Sequence, residues 1–341
     1  MIELPLSGVE VSLWALLLIG FTAGVCGAFF GLGGAFIVTP GLHILGLPIV
    51  YAVGTGIAYV VGHAIVAAGK HARLGNVDAK LGLIMLVSTL PAVEVGKRTI
   101  MHLEGAGLAG PVVRGIYIAL LMGISLYIGY EQLRGESQRK RKGARMAAGG
   151  SRPWAISAKP MVTLSHSRLA RISLWQLLPI GVATGFVAGF LGIAGGLLMV
   201  PALIYLVGFS AAMAAGTSLF LACFISAYGG LSYALEAKVE LAAAMAPLLG
   251  AVPGIQLGAL ATGFVSGTRW RLYFAATVLL IGISLALKQL ALWQASPLLQ
   301  DLSAWLVLGA AGGMSLLIIS LALMGLASQG KTAKGKPLPD R

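Results

Sequence analysis

Two short glycine clusters interrupt long apolar runs, and they are the segments of this sequence best suited to bind a ligand. They are Gly31-Leu32-Gly33-Gly34 and Gly192-Ile193-Ala194-Gly195-Gly196. A helix broken at membrane depth frees backbone N–H and C=O groups that protein, water or substrate must satisfy. Half-helices restarting at Ala35 and Leu197 would direct their first N–H groups, and the positive end of the helix dipole, at the breaks. We therefore expect an anion-binding backbone formed by Gly31, Gly33, Gly34, Gly192, Gly195 and Gly196.

Close helix packing is the alternative role for glycines in these runs, because small residues let transmembrane helices approach each other. The spacing of small residues upstream of each cluster favours this packing role. The glycines concerned are Gly20, Gly24, Gly27, Gly181, Gly185 and Gly189.

Two threonines occupy matching places in the second and sixth apolar runs. Thr55 follows Gly54, and Thr217 follows Gly216 and precedes Ser218. A hydroxyl there can donate a hydrogen bond to a bound anion, and the adjacent glycine lets backbone approach as well. Thr55, Thr217 and Ser218 are therefore candidate substrate-binding residues. The alternative is a hydroxyl bonded back to a carbonyl of its own helix, which is common for threonine in membranes.

Ionisable side chains are scarce inside the apolar runs, where each costs about 2.5–3.5 kcal/mol on insertion scales. His63 and Glu94 are the two candidates, and either could carry a coupled proton. The alternatives are a hydrogen-bonded packing histidine and an interfacial ion pair of Glu94 with Lys97 and Arg98. The runs hold no ladder of acidic residues of the kind that marks many proton-driven antiporters.

The sequence motifs of enzymes and metal centres are missing. Neither H-E-x-x-H nor G-x-S-x-G occurs, so we predict no catalytic residue. Cys26 and Cys223 lie in apolar runs about 200 residues apart and fit neither a disulfide framework nor a metal cluster. We expect no cofactor and no bound metal. Transport of a divalent cation is the alternative to transport of an anion. A cation transporter would need buried carboxylates, methionine clusters or cysteines.

Basic residues begin two of the apolar runs. They are Arg114 before the fourth run, and Arg269 with Arg271 before the eighth. A cation at such a place anchors a span in the lipid head-groups. The alternative is that it steers an anion towards the pore.

The composition places all these residues in a membrane protein. The 341 residues are 58% hydrophobic and 10% charged, with a mean hydropathy of +0.91, whereas soluble chains carry about 25% charge. A water-soluble fold is therefore excluded. Residues 1–13 contain Glu3 and Glu10 but no Lys or Arg, so the first apolar run is predicted to be a retained span and not a signal peptide.

Nine apolar runs are long enough to cross about 30 Å of hydrocarbon. They cover roughly 11–47, 48–70, 79–99, 112–133, 174–208, 210–235, 240–262, 271–292 and 302–327. The first and fifth are overlong, and each contains a glycine cluster. Each is therefore either a broken helix or a span followed by a half-helix.

The two halves of the sequence repeat each other, and the ninth run has no counterpart. Gly20, Gly24, Gly31 and Pro40 match Gly181, Gly185, Gly192 and Pro201 at an offset of 161. Gly54-Thr55, Asp78, Pro91 and Gly96 match Gly216-Thr217, Glu240, Pro253 and Gly258 at an offset of 162, and Arg114 and Gln132 match Arg271 and Gln289 at 157. We divide the chain into a first repeat (1–133), a linker (134–172), a second repeat (173–292), an additional span (293–327) and a tail (328–341).

The linker and tail are basic, which predicts that both lie in the cytoplasm. Residues 134–171 hold ten Lys and Arg residues and a single acid, Glu136. We favour this topological role over binding of nucleic acid or lipid head-groups, and expect no nucleic-acid partner. If each overlong run is counted as two segments, each half crosses the membrane an odd number of times. An odd number puts the N-terminus outside and makes the two repeats inverted. Four crossings per half, giving parallel repeats, is the alternative. The predicted fold class is an all-α polytopic membrane protein with two homologous repeats.

With these motifs the chain resembles the sulfite exporter TauE/SafE family of membrane permeases over roughly residues 12–292. The pattern is G-x-x-x-G, then G-x-x-G-G-x-x-x-x-P, then Gly-Thr, and each half repeats it. It is carried by Gly24, Gly31, Gly33, Gly34, Pro40, Gly54-Thr55 and His71 to Asp78, and by Gly185, Gly192, Gly195, Gly196, Pro201, Gly216-Thr217-Ser218, Pro253 and Gly258.

The resemblance implies passage of small sulfur-containing anions such as sulfite or organosulfonates, often outward, across a bacterial cytoplasmic membrane. The chain departs from the family pattern in its basic linker and in Glu94-Val-Gly96-Lys97-Arg98, where the second half has the more typical Gln256-Leu-Gly258-Ala. The predicted partners are thus the anion and the bilayer. The predicted mechanism is alternating access between the two repeats.

Overall fold

A computed structural model describes residues 2–133, 160–162, 172–294 and 296–334, and this described part contains eleven helices. The first half forms α1 (Leu13–Phe30), α2 (Ala35–Ile44), α3 (Ile49–Arg73), α4 (Ala79–Gly105) and α5 (Ala109–Leu133). The second half forms α6 (Leu174–Leu191), α7 (Gly196–Ala202, continued by a π-helical turn at Leu203–Val207), α8 (Ala211–Leu235), α9 (Leu241–Ala261) and α10 (Gly267–Gln294), and α11 (Pro297–Lys334) follows. The predicted all-α fold class is confirmed.

Short antiparallel strand pairs precede the first helix of each half. β1 (Ile2–Glu3) pairs with β2 (Glu10–Val11), and β3 (Met161–Val162) pairs with β4 (Ile172–Ser173). The repeat therefore begins with a hairpin that the sequence patterns did not reveal.

Nine of the described helices are long and apolar enough to cross a membrane, and α2 and α7 are shorter. The chain is a multi-pass membrane protein, as its composition predicted. Each overlong run is a span followed by a short helix, with the glycine cluster between them. The predicted basic linker lies outside the described residues except for 160–162 and 172. The predicted tail is described only to residue 334, as a continuation of α11.

The two halves are interleaved, because the first span of each half packs along a span of the other half. α1 lies along α9, and α6 lies along α4. A Cβ atom would overlap the facing backbone at Gly20 with Pro247, Gly24 with Ala251, Gly254 with Phe21 and Gly258 with Val25. Because residue numbers rise together, α1 and α9 run parallel. The glycines predicted to serve packing do so here.

The same contact recurs between α6 and α4. A Cβ atom would overlap the facing helix at Gly185 with Thr89, Gly189 with Val93 and Gly96 with Phe186. Gly27 differs from the other glycines that were predicted to serve packing, since its Cβ would meet Gly34 and the His63 ring. It therefore packs within its own half, beside the glycine break.

The equivalent helices α3 and α8 pack against each other in opposite directions. Gly54, near the start of α3, lies against the Lys238 carbonyl beyond the end of α8. Gly216, near the start of α8, lies against the Asn76 carbonyl beyond the end of α3. Because α3 and α8 are equivalent and antiparallel, superposing one repeat on the other reverses the direction of that repeat across the membrane. These contacts support the inverted arrangement over the parallel one.

The short helix α2 turns back along α1. Gly34, at its start, lies against the Ala23 carbonyl, and Gly41, near its end, lies against the Ile19 side chain. The first half thus has five segments, α1 to α5, of which α2 is a returning half-helix. Five is the odd number that inverted repeats require.

Candidate functional site

The two breaks have the same backbone conformation at both ends. α1 ends at Gly31 (φ 76°) and α6 ends at Gly192 (φ 70°), while α2 and α7 begin after Gly34 (φ 77°) and Gly195 (φ 75°). This left-handed region is open to glycine at little cost. The glycines were predicted from their clustering, and these four residues form the ends of both breaks.

The middle residue of the second break is an alanine. At the offset of 161, Gly33 (φ 75°) matches Ala194 (φ 50°), and Gly34 matches Gly195. Ala194 is therefore a site residue that sequence reasoning missed, because it searched for glycine alone. Gly196 serves a different purpose, since it is the first residue of α7 and its Cβ would overlap Leu32.

The breaks meet each other in the interior. A Cβ at Gly196 would lie 2.7 Å from the Leu32 Cα and 2.9 Å from the Gly31 carbonyl oxygen. Each break also contacts the Gly-Thr segment of the opposite half, Gly31 against Ala215 and Gly192 against Val53. All residues of both breaks are buried. The structure thus brings together the predicted glycines of both halves in one enclosed region.

The short helices begin directly after the breaks. The first hydrogen bonds to Gly34 and Gly195 carbonyls are donated by Ile37 and Leu198. The N–H groups that come before Ile37 and Leu198 in the first turn of each helix have no partner within the helix, as at any helix start. Their role as the donors to an anion stays a prediction.

Thr55 and Thr217 form matching hydrogen bonds between the halves. Thr55 Oγ1 accepts from the Glu240 backbone N–H at 3.0 Å, and Thr217 Oγ1 accepts from the Asp78 backbone N–H at 3.0 Å. Each hydroxyl keeps its own hydrogen to donate. Sequence reasoning considered bonding to an anion or to the same helix, and missed this contact. Ser218 is buried beside Thr217.

Two buried carboxylates lie at these contacts. Asp78 is 5% exposed and Glu240 is 0% exposed. One oxygen of Asp78 accepts from the Leu81 N–H, and one oxygen of Glu240 accepts from the N–H groups of Leu6 and Ser7 in the N-terminal hairpin. The second oxygen of each has no hydrogen-bond partner among the described residues. The acid-for-acid match between the repeats was the signal that could have identified them.

His63 lies beside the first break only. Its Nδ1 is 2.9 Å from the Tyr59 hydroxyl, its Cε1 faces Gly27, and its Nε2 has no partner in the described structure. The positions that match His63 and Tyr59 in the second half are Ile225 and Leu221. Any role of this pair is therefore confined to one half.

Glu94 belongs to a network of ion pairs and hydrogen bonds. Its carboxylate binds Arg98 Nε at 2.8 Å and Lys97 Nζ at 3.5 Å, and it accepts hydrogen bonds from Ser232 and Tyr228. These residues belong to α4 and to the C-terminal part of α8. The ion pairs of Glu94 with Lys97 and Arg98 are those that the sequence offered as the alternative to proton coupling.

Metal ligation finds no support in the described structure. Among the described residues, no group of three His, Cys, Asp or Glu side chains is placed to hold an ion. Cys26 and Cys223 are both free thiols. The predicted site and its contacts hold backbone groups, hydroxyls and the two buried carboxylates of Asp78 and Glu240.

Comparison with known proteins agrees with this architecture. The chain is 24% identical over 281 residues to the probable membrane transporter protein YjnA of Bacillus subtilis, covering 80% of this chain and 98% of that protein. It is 28% identical over 253 residues to the probable membrane transporter protein YunE of the same organism, covering 72% and 86%. A probable membrane transporter protein of Xylella fastidiosa is 27% identical, covering 79% and 90%. No solved structure matches.

The family profile covers most of both repeats. Residues 16–285 match the family described as Sulfite exporter TauE/SafE. The matched range begins in α1 and ends in α10, and includes both breaks and both Gly-Thr segments. The chain is therefore a membrane transporter protein of the Sulfite exporter TauE/SafE family.

Proposed function

We propose that the protein exports a small sulfur oxyanion, sulfite or an organosulfonate, through the region where the two breaks meet. The observation that carries the proposal is the contact of Gly196 with Gly31 and Leu32, which joins the breaks of both halves. Paired broken helices at a repeat interface are the usual place of a transporter's substrate site. The family name supplies the substrate class.

The site would bind the anion with neutral donors. The side chains that lie against the breaks include Val60 at Gly33, Tyr59 with its hydroxyl at Gly34, and Thr184 at Gly195. To these we add, as proposed donors, the backbone amides of the breaks and the buried hydroxyls of Thr55, Thr217 and Ser218. Dipoles without a fixed positive charge bind an anion and also release it. The buried carboxylates of Asp78 and Glu240 lie at the contacts of Thr217 and Thr55. Among the described residues, however, no three His, Cys, Asp or Glu side chains are placed to hold an ion. We therefore favour an anion over a divalent cation, which is the alternative function and needs several carboxylate, thiolate or imidazole ligands. The protein's task is transport, with no catalytic step.

Access to the buried site requires rearrangement of the helices. The glycine contacts join α1 to α9 and α6 to α4, so each of these pairs moves as one unit. We therefore propose that alternating access rocks the α1–α2–α9 group against the α6–α7–α4 group. The antiparallel pair α3 and α8, which carries Thr55 and Thr217, lies between them.

Flux into proteoliposomes tests the function. Labelled sulfite, organosulfonate and thiosulfate would be followed with and without a pH gradient, alongside a labelled divalent cation. We expect flux of at least one sulfur oxyanion and competition by the others. Flux of the cation, with none of any sulfur oxyanion, would reject the proposal.

A matched pair of variants tests the site. Gly196→Ala places a methyl group on Leu32 and Gly31 without changing the helical backbone, and should reduce flux at least tenfold. Gly123→Ala is the control, because Gly123 is also helical and a Cβ there would meet nothing within 4 Å. Equal flux of both variants, at equal protein incorporation, would show that the contact between the breaks plays no part in transport.

A further inference from the structure

A cluster of basic side chains lies at one end of the bundle, away from the breaks. Arg114, near the start of α5, donates from Nε to Gln289 Oε1 at 2.6 Å. Its Nη1 lies 3.3 Å from Nε2 of His43, at the end of α2. Nδ1 of His43 lies 2.9 Å from the Leu47 carbonyl oxygen. With its hydrogen on Nδ1, His43 donates to the Leu47 carbonyl, and its Nε2 accepts a hydrogen bond from Arg114.

The charges of this cluster are not balanced by acids. Lys288 precedes Gln289 on α10 and repels positive charge at both Arg114 and His43. In the part of the chain that the structure describes, no carboxylate forms an ion pair with Arg114 or Lys288. All four side chains are partly buried. Two cations held together and partly desolvated, without a counter-charge, are unfavourable unless an anion joins them.

The equivalent place at the other end of the bundle differs. Arg271 matches Arg114 in the repeat, and its guanidinium lies 5.1 Å from the centre of the Tyr205 ring. The acid Glu131 also interacts electrostatically with Tyr205. An aromatic face and an acid thus stand near the arginine at this end.

We propose that Arg114, Lys288, Gln289 and His43 form a second oxyanion site, at the mouth where α2 ends. The guanidinium supplies directional N–H donors and the lysine a mobile positive charge. His43 and Gln289 hold the guanidinium in place. The ligand is a small soluble oxyanion with one or two negative charges, such as sulfite or a sulfonate. This inference rests on the proposed function, because it gives the transported anion a binding step outside the central site.

The place of the site defines its task. α2 has ten residues and is about 15 Å long, so the site lies roughly that far from the break at its other end. This mouth also carries the N-terminal hairpin, which Glu240 holds through Leu6 and Ser7. It is the end predicted to be external. An exported anion would occupy the site after leaving the centre, and external anion bound there would oppose export.

Inhibition of export by external anion tests the site. Efflux of labelled sulfite would be measured from proteoliposomes of zwitterionic lipid, with one orientation selected, at increasing external unlabelled sulfite. We expect Arg114→Gln and Lys288→Gln each to raise the external inhibition constant about tenfold. Arg271→Gln, the matched variant at the opposite mouth, should leave that constant unchanged. Lys288→Gln shows whether the effect of Arg114→Gln comes from misfolding, because no described hydrogen bond depends on the Lys288 side chain.

The outcomes separate this site from the proposed function. Efflux by the wild type, with the same external inhibition constant in both variants, would overturn the second site alone. Absence of efflux of every sulfur oxyanion tested, namely sulfite, organosulfonate and thiosulfate, by the wild type would reject the proposed function. Lipid phosphate shares the chemistry of a soluble oxyanion, so the assay is repeated with anionic lipid. A difference between wild type and variants that occurs only in anionic lipid would mean that the cluster binds head-groups, and would also overturn the site.

Discussion

The side-chain oxygen of Thr55 accepts a hydrogen bond from the backbone N–H of Glu240, 185 residues away along the chain. The repeat forms the same bond between Thr217 and Asp78. Other threonines of the protein, such as Thr22 and Thr89, bond back to carbonyls of their own helices. The two candidate threonines thus join the halves at the start of α9 and of α4. Each hydroxyl keeps its own hydrogen to donate.

Thr55→Val is expected to destabilise the protein by about 1–3 kcal/mol, because it leaves a buried N–H without an acceptor. Thr55→Ser keeps the hydroxyl and should retain most of the stability and the flux. Thermal unfolding in detergent measures the first effect, and sulfite flux the second. Thr22→Val is the control for loss of a threonine hydroxyl within one helix. A Thr55→Val protein as stable as Thr22→Val would show that the bond between the halves contributes little.

The middle position of each break gives a second prediction. Gly33→Ala should cost about 1–2 kcal/mol, because a left-handed conformation is unfavourable for residues with a Cβ, and this Cβ would lie 2.9 Å from Val60 Cγ1. Ala194→Gly relieves the same strain at φ 50°, while glycine adds about 0.4–1 kcal/mol of unfolded-state entropy. We expect its stability and flux to stay close to wild type. The reverse order of stability in thermal unfolding would contradict the matching of these residues.

Larger side chains at the breaks should stop transport. Gly33→Val and Gly195→Val place a branched side chain at a left-handed position, against the Val60 side chain and against Thr184 respectively. We expect both proteins to insert into the membrane and both to lose flux. Normal flux by both variants would assign these glycines to packing alone.

The sequence was sufficient to predict the spans and the breaks. An apolar run of 11–47 is too long for one crossing, and the glycines at 31–34 are the only place in it where three glycines fall within four residues. Run length and glycine spacing are local properties, which a single sequence displays directly. The same holds for the all-α class, which follows from the hydropathy of the runs.

The contacts between the halves could not be predicted in this way. The bond from Glu240 to Thr55 depends on how α9 and α3 meet, and no local pattern encodes that distance. The burial of Asp78 and Glu240 depends on the same contact, so the sequence suggested His63 and Glu94 as the ionisable residues to test. Tyr59 is different, because it precedes His63 by one helical turn and could have been identified from spacing alone.

Proton coupling through His63 gives a further prediction. If the imidazole carries the coupled proton, a pH gradient should stimulate wild-type sulfite flux several-fold, and His63→Ala should abolish the stimulation. Tyr59→Phe keeps the ring but removes the hydroxyl 2.9 Å from Nδ1, and should weaken the stimulation without abolishing flux. Flux in proteoliposomes at imposed gradients measures all three. Wild-type flux that ignores the gradient, or stimulation that survives in His63→Ala, would exclude this residue as the proton carrier.

Glu94 is expected to affect stability without affecting coupling. Among the described residues, Glu94→Gln leaves Lys97, whose side chain is 8% exposed, with Glu236 at 3.5 Å as its one anionic partner. Removing one partner of a largely buried cation should cost roughly 1–3 kcal/mol. Arg98→Gln breaks the other ion pair of Glu94 at a side chain that is 77% exposed, and its effect should be smaller because water screens that pair.

The two variants thus separate an ion pair from a proton carrier. We expect Glu94→Gln to unfold at a lower temperature than Arg98→Gln, while both respond to a pH gradient as the wild type does. The gradient response is the decisive measurement, because loss of a structural ion pair does not change the number of protons moved per anion. A Glu94→Gln protein that kept its stability and lost its response to the gradient would make Glu94 the coupling residue.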